Sequence, residues 1–143
     1  MAAACNSGSS PFSPIRRTVL KANGLRVTVS TTSQDTGGLT FLIELKNEGT
    51  GTVTLNFSDS QTFDIAVSTR GESPVWQWSR DKYFLQLFLT QELKPGDAVS
   101  NRADWNLKAN DGSQPPPGTY KAKVWITNYP RDPDLSVELS LVI

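Results

Sequence analysis

Apolar and polar residues alternate along most of the chain, which is the pattern of a β-strand with one buried face. The first clear run places Leu25, Val27 and Val29 on one face and Arg26 and Thr28 on the other. Later runs repeat this two-residue period with Leu39, Phe41, Ile43 and Leu45; Val53, Leu55 and Phe57; Phe63, Ile65 and Val67; Tyr120, Ala122, Val124 and Ile126; and Leu135, Val137, Leu139 and Leu141. The pattern predicts an all-β protein.

Turn-forming residues separate these runs. They include Asn23-Gly24, Asn47-Glu48-Gly49, Lys94-Pro95-Gly96-Asp97 and Pro117-Gly118. Short strands with turns about every eight to twelve residues favour an antiparallel immunoglobulin-like β-sandwich of about seven to nine strands, and a closed barrel is the alternative. We expect one sandwich domain over residues 17–143. We expect a flexible leader or tether over residues 1–16, because its small and polar residues show almost no apolar period.

The composition excludes several classes of chemistry. The chain has no histidine, one cysteine, and 14 basic against 14 acidic residues. It therefore lacks the usual general base, a Ser-His or Cys-His nucleophile pair, an intramolecular disulfide, and a net field that would attract nucleic acid. We predict a monomer that is not an enzyme and needs no cofactor or metal. An enzyme would depend on carboxylates alone, as in glycoside hydrolysis.

Cys5 lies between three alanines and a Ser/Gly-rich stretch. This order resembles the end of a bacterial lipoprotein signal, although the apolar region that should precede the cysteine is not present here. Two hypotheses follow. Either Cys5 is lipidated and holds the protein in the cell envelope, or it is an ordinary thiol of a cytoplasmic protein. Contact with a membrane is expected only through lipidation of Cys5.

Residues 75–88, VWQWSRDKYFLQLF, form the most aromatic stretch of the chain. On a strand, Trp76 and Trp78 would point the same way. We favour a place in the core for them over an exposed binding platform, because sandwich domains often bury a tryptophan. Phe84, Leu87 and Phe88 would share a helical face, and Phe84, Gln86 and Phe88 a strand face, so both remain open. We favour a turn at Ser79 to Lys82 followed by an extended segment. We interpret the whole stretch as chiefly the centre of the core.

Several motifs along the chain occur in the order of a known family. They are Asn47-Glu48-Gly49; Leu55-Asn56-Phe57-Ser58-Asp59-Ser60-Gln61-Thr62-Phe63-Asp64; Val75-Trp76-Gln77-Trp78-Ser79-Arg80-Asp81-Lys82 with Phe84, Gln86 and Phe88; Leu93-Lys94-Pro95-Gly96-Asp97; Trp105; and Pro117-Gly118-Thr119-Tyr120. Over residues 47–127 the chain resembles the BsuPI family of intracellular proteinase inhibitors. Its pattern is F-S-x-x-Q-x-F, W-S-x-x-K-x-F-x-Q-x-F, L-x-P-G, and W followed by P-G-T-Y.

This resemblance implies an immunoglobulin-like β-sandwich that acts as a non-enzymatic interaction module. The founding member restrains a subtilisin-like serine protease, so a serine protease is the implied partner. No inhibitory residue is transferred, because the shared motifs have the character of scaffold. A lipidated Cys5 would depart from an intracellular inhibitor. The alternative function is therefore a cell-envelope lipoprotein whose domain binds a protein or a glycan without inhibiting a protease.

Other polar motifs have structural interpretations that we prefer. Tyr120 resembles the corner tyrosines of sandwich domains, whose hydroxyl bonds to a loop backbone. Asp59 and Asp64 would make a poor acid-base pair, since they are five positions apart across a turn. Asp132 and Asp134 fall short of the six to eight oxygen ligands, roughly, that calcium takes.

Two loops have the composition of a protein contact. Residues 110–117 contain Gln114 and Pro115 beside a proline run that prefers an extended form. Residues 128–134 contain Tyr129 and Arg131, which are residue types favoured at binding hot spots. We predict Tyr129, Arg131, Gln114 and Pro115 as partner-binding residues.

Overall fold

The computed structural model describes residues 15–21, 23–69, 73–130 and 132–143. Ten strands lie in these ranges: β1 (Ile15–Leu20), β2 (Leu25–Ser33), β3 (Leu39–Asn47), β4 (Val53–Phe57), β5 (Phe63–Ser68), β6 (Trp76–Gln77), β7 (Leu89–Leu93), β8 (Ala98–Trp105), β9 (Thr119–Ile126) and β10 (Ser136–Val142). A 3₁₀ helix, Trp78–Asp81, follows β6. None of the described residues form a helix with the length and hydropathy of a membrane span.

The strands form two four-stranded sheets and one ribbon. The first sheet has the order β10-β9-β5-β6, the second has the order β1-β2-β3-β8, and β4 pairs with β7. Every pairing is antiparallel. The all-β antiparallel prediction is confirmed. The strand β1 adds to the expected count, and the expected boundary between residues 16 and 17 falls inside it. Its exposed Arg16, Arg17 and Thr18 do not show the alternation of a half-buried strand.

The two sheets pack face to face around one apolar core. Trp76 of the first sheet stacks against Phe41 and Trp105 of the second, with ring centroids 6.3 Å and 5.1 Å away. Val29 and Ile65, on facing sheets, have no or almost no exposed surface. Burying such a side chain contributes about 1.5–3 kcal/mol. This packing makes the domain a sandwich, as the alternation predicted.

Asn47 is a fully buried polar residue that joins two loops at the end of β3. Its Nδ2 donates to the carbonyls of Gly51 at 2.7 Å and Leu93 at 2.8 Å, and its Oδ1 accepts from the amide of Gly49 at 2.9 Å. Its own carbonyl accepts the amide of Gly96 at 2.7 Å. The Asn-Glu-Gly and Leu-x-Pro-Gly motifs are therefore two halves of one junction.

Gly24 makes a backbone contact that no larger residue could make. Its φ is +88°, and a Cβ added there would lie 2.4 Å from the Cα of Gly49. The amide of Glu48 donates to the Gly24 carbonyl at 2.8 Å. Glycine at position 24 thus permits the turn after β1 to pack on the turn after β3.

Tyr120 is a corner tyrosine, as predicted. It is buried on β9, and its hydroxyl donates to the Pro116 carbonyl at 2.6 Å. This bond fixes the proline run against the start of the strand.

Candidate protein-binding segment

The residues that follow the 3₁₀ helix form an exposed apolar segment. Residues 82–88, which we call the exposed segment, have no regular secondary structure. Tyr83, Leu85, Leu87 and Phe88 have relative exposures of 101%, 67%, 39% and 81%, and they are four of the eight large hydrophobic side chains exposed in the described ranges. Apolar side chains clustered at the surface are typical of interaction sites.

This finding corrects our interpretation of residues 75–88 as chiefly core. Only the first part enters the core, because β6 ends at Gln77 and the 3₁₀ helix then turns the chain away from the sheet. The prediction that Trp76 and Trp78 point the same way from one strand is wrong for the same reason. Trp76 is 7% exposed, whereas Trp78 is partly buried and packs against the edge of the core. The chain turns at the 3₁₀ helix as predicted, and Lys82 after it is extended. The segment is not extended throughout, because the Leu87 amide donates to the Leu85 carbonyl at 3.0 Å.

Trp78 supports the exposed segment from below. Its ring stacks on Phe63 with centroids 4.2 Å apart, and Phe84 packs on it at 5.9 Å in a tilted arrangement. The Lys82 ammonium lies 4.9 Å from the centroid of the same ring. A cation over an aromatic ring contributes about 0.5–1 kcal/mol at an exposed site. Both neighbours of Tyr83 are therefore held by one tryptophan.

Ser60 holds the middle of the exposed segment with two hydrogen bonds. Its amide donates to the Leu85 carbonyl at 3.0 Å, and its Oγ accepts from the Leu85 amide at 2.8 Å. The Leu87 amide also donates to the Leu85 carbonyl at 3.0 Å, which closes a three-residue turn around Gln86. These bonds fix the backbone path from Leu85 to Leu87.

The turn that carries Ser60 is itself tied to the sandwich. The Asp59 carboxylate accepts from the Gln61 amide at 2.9 Å, which is the local bond of an aspartate turn. The Gln61 side chain donates to the Phe63 carbonyl at 3.0 Å, and the Thr127 hydroxyl donates to the Gln61 carbonyl at 2.7 Å. Ser60 is thus a fixed anchor for the exposed segment.

Asp64 is a buried carboxylate, 3% exposed, that fixes the 3₁₀ helix. Its Oδ1 accepts from the amides of Ile65 at 2.8 Å and Ser79 at 3.1 Å. Its Oδ2 accepts from the Ser79 hydroxyl at 2.6 Å and from the Gln77 side-chain amide at 2.8 Å. Four donors satisfy this carboxylate, as a buried charge requires. The bonds to Gln77 and Ser79 set where the exposed segment begins.

Asn110 forms hydrogen bonds with the main chain at β6, where a neighbouring strand would otherwise pair. Its Oδ1 accepts from the Gln77 amide at 2.7 Å, and its Nδ2 donates to the Gln77 carbonyl at 3.2 Å. Its own amide donates to the Val75 carbonyl at 3.1 Å. These bonds occupy main-chain groups at the sheet edge, which would otherwise be open to another strand.

A shallow cleft beside Lys82 is lined by two carboxylates. Trp76, Asp81, Asp104 and Trp105 line it together with Lys82. The Thr40 hydroxyl, which donates to Asp104 at 2.8 Å, holds the pKa of that carboxyl below its usual range, and Arg102 lowers it further. Asp81 is paired with Lys82 at 3.3 Å and Asp104 with Arg102 at 3.2 Å, so charges of both signs lie next to the apolar exposed segment.

The residues predicted to contact a partner lie on two separately tied loops. Tyr129 is 64% exposed, and its amide donates to the Asn56 carbonyl of β4 at 2.6 Å. Gln114 is exposed but Pro115 is buried, so the Pro115 ring is not a surface contact as the loop stands. Arg131 and Cys5 lie outside the described residues, and their contact and lipidation stay predictions.

The acidic residues considered for chemistry have separate structural partners. Asp59 shapes its own turn, Asp64 is buried at the 3₁₀ helix, and Asp132 pairs with Lys21 and accepts the Asp134 amide at 3.0 Å. Within the described part of the chain, no three His, Cys, Asp or Glu side chains are grouped closely enough to hold a metal.

Sequence reasoning missed the exposed segment, although one signal pointed to it. Residues 83–88, YFLQLF, contain five apolar residues in six positions, without the polar alternation of the other strands. Consecutive side chains of a strand point to opposite faces. A strand with one buried face therefore cannot bury three consecutive apolar residues. A break in the period directly after the polar residues 79–82 was therefore evidence that some of these side chains face outward.

A scan against protein-family models finds a match over residues 25–130 to the family described as BsuPI, intracellular proteinase inhibitor. The match spans well over half of the chain. The chain belongs to the BsuPI family. The match to BsuPI starts at β2, so it includes the two strands that precede the motifs identified from sequence. The recognised resemblance is thereby confirmed.

Other comparisons add little to the BsuPI assignment. A search of curated proteins found no significant match. Two structures of beta-glucosidase 3B from Thermotoga neapolitana, in complex with glucose and with glycerol, are 18% identical to this chain, with a TM-score of 0.37. Each match covers 80% of this chain and 15% of that chain. A third, with alpha-D-glucose, is 16% identical over 89% of this chain and 16% of that chain, with a TM-score of 0.38. Likeness at this level carries no functional argument.

Proposed function

We propose that this BsuPI domain is a non-enzymatic inhibitor of a subtilisin-like serine proteinase. The family match over residues 25–130 is the observation that carries the proposal. An inhibitor that blocks a substrate cleft needs a surface that the proteinase can reach and that loses little freedom on docking.

The exposed segment meets both requirements. Tyr83, Leu85 and Phe88 are the most exposed of its large side chains. The backbone beneath them is held by Ser60 and by packing on Trp78. Because these restraints exist before binding, the partner would not have to order the segment.

The chemistry of the described residues supports binding more than catalysis. The chain lacks histidine, so acid-base work would fall to carboxylates. The carboxylates of Asp59 and Asp64 are both engaged in bonds that hold the fold. We therefore interpret them as structural groups.

Titration of a subtilisin-type proteinase with the full chain tests this proposal. Activity is read with a small chromogenic peptide, and the chain is checked by mass spectrometry for cleavage. We expect stoichiometric loss of proteinase activity while the chain stays intact. A papain-type cysteine proteinase is the matched control and should keep its activity. Full activity of the subtilisin-type enzyme at micromolar folded protein, or rapid digestion of the chain, would contradict the proposal.

A further inference from the structure

We propose that Tyr83 is the primary contact residue of this domain, and that its ring enters a large apolar pocket of the partner proteinase. The inference rests on the proposed inhibitory function and adds to it the contact residue and the class of pocket. Tyr83 is 101% exposed, more than any other large apolar side chain in the described ranges. Tyrosine is also among the residue types that dominate binding hot spots.

The residues around Tyr83 hold it in place. On the N-terminal side, Lys82 has extended backbone angles, φ −120° and ψ 155°, and its amide donates to the Ser79 carbonyl at 3.1 Å. On the C-terminal side, Phe84 packs on Trp78 with ring centroids 5.9 Å apart. A fully exposed aromatic ring between two restrained neighbours is presented outward at a small entropic cost on binding.

The main-chain bonds favour Tyr83 over Leu85 and Leu87 as the central contact. An extended peptide that docks in a proteinase cleft pairs its own N–H and C=O groups with the enzyme. Both main-chain groups of Leu85 are already bonded to Ser60, and the Leu87 amide is bonded within the turn. Among the described residues, no hydrogen bond uses the main-chain groups of Tyr83. Tyr83 can therefore pair with an enzyme strand without breaking an internal bond.

The side chain sets the class of pocket. A tyrosine ring needs a deep, mainly apolar slot, with water or an acceptor for its hydroxyl. A pocket with a buried acidic group, which is built for lysine or arginine, would leave that acid unpaired. Leu85, Leu87 and Phe88 would then cover the apolar rim on the C-terminal side. The favoured partner is a serine proteinase that cleaves after large apolar or aromatic residues.

Inhibition constants of full-chain variants against a subtilisin-type proteinase test the assignment. We expect Tyr83→Ala to weaken inhibition at least about 30-fold, the change that corresponds to about 2 kcal/mol at a hot spot. Tyr83→Phe should stay within about threefold of the unmodified chain, because it keeps the ring. Tyr83→Lys should lose inhibition of this enzyme and gain inhibition of a trypsin-type enzyme with an acidic pocket. Leu42→Ala, exposed on β3, is the control and should have no effect.

The outcomes separate the two proposals. If the unmodified chain inhibits and Tyr83→Ala inhibits equally well, the assignment of Tyr83 is wrong and the inhibitory function stands. If Tyr129→Ala abolishes inhibition while Tyr83→Ala does not, the contact belongs to residues 128–134 instead. If the unmodified chain inhibits no subtilisin-type enzyme, both proposals fail. Circular dichroism should show native folding in every Tyr83 variant, because the Tyr83 side chain is fully exposed.

Discussion

Ser60 and Leu85 exchange two hydrogen bonds: the Ser60 amide donates to the Leu85 carbonyl at 3.0 Å, and the Leu85 amide donates to the Ser60 Oγ at 2.8 Å. They belong to two separate family motifs, and their contact joins the turn after β4 to the exposed segment. The motifs are therefore more than scaffold, because one of them positions the residues that we propose to bind a proteinase.

Replacing Ser60 with alanine should loosen the exposed segment. The change removes the Oγ acceptor of Leu85 and leaves the opposite bond in place, so we expect a loss of about 0.5–1.5 kcal/mol in unfolding free energy. Amide exchange at Leu85, measured by NMR, should accelerate and inhibition should weaken. Ser58→Ala, on the exposed side of the same turn, is the matched control. Equal Leu85 exchange in the two variants would show that the Oγ bond does not restrain the segment.

Asp64→Asn should destabilise the domain far more than Asp59→Asn. An asparagine at 64 has one acceptor oxygen where the carboxylate has two, so one or two of the four buried donors would lose their partner. We expect a cost of about 1–3 kcal/mol in denaturant unfolding. Asp59 bonds only the Gln61 amide among the described residues, and an asparagine oxygen can accept that bond. Similar midpoints for the two variants would contradict a structural role for Asp64.

The sequence predicts the sandwich better than it predicts the site. The alternation through Val27, Ile43 and Ile65 gives buried strand faces because half-buried strands require that period. The Tyr120 hydroxyl also bonds to a loop backbone, as its resemblance to the corner tyrosines of sandwich domains predicted. These features depend on the local sequence pattern, and a single sequence contains all of that pattern.

The break in the apolar period at residues 83–88 indicates that some side chains face outward, but the local pattern does not show which ones. The exposure of the segment depends on long-range bonds, from Asp64 to Ser79 and from Ser60 to Leu85, which join residues 15 and 25 positions apart. Hydrophobic composition alone assigned Phe88 to the core, although it is 81% exposed. Composition likewise selected Pro115 as a contact, but its ring is buried. An apolar residue at a binding surface and one in a core look the same in sequence.

The Asp104 carboxyl gives a prediction for the pH dependence of stability. The Thr40 hydroxyl bond is the largest cause that lowers the pKa of Asp104, so Thr40→Val should raise that pKa toward its usual value. A lowered folded-state pKa contributes stability above the unfolded-state pKa, and the contribution is lost as pH falls through the folded-state pKa. The stability difference between the unmodified chain and Thr40→Val should therefore shrink in acid. It should be small at any pH, since Asp104 is 53% exposed and screened.

An NMR titration of the Asp104 carboxyl measures this shift directly. Thr40→Ser is the matched control, because it keeps the hydroxyl donor and should keep the pKa low. An unchanged Asp104 pKa in Thr40→Val would show that Arg102, at 3.2 Å, dominates the carboxylate instead.

Substitution of Trp76 should mainly lower stability, whereas substitution of Trp78 should mainly weaken inhibition. Trp76→Ala empties a site against Phe41 and Trp105, and we expect it to cost about 3–5 kcal/mol in unfolding free energy. Trp78 is only partly buried, so Trp78→Ala should cost less. It removes, however, the ring under Lys82 and Phe84, and inhibition should fall as Tyr83 loses its restrained neighbours. Trp78→Phe keeps a ring and should recover part of the potency. If Trp78→Ala folds and inhibits as well as the unmodified chain, the support of the exposed segment by this ring is not needed for binding.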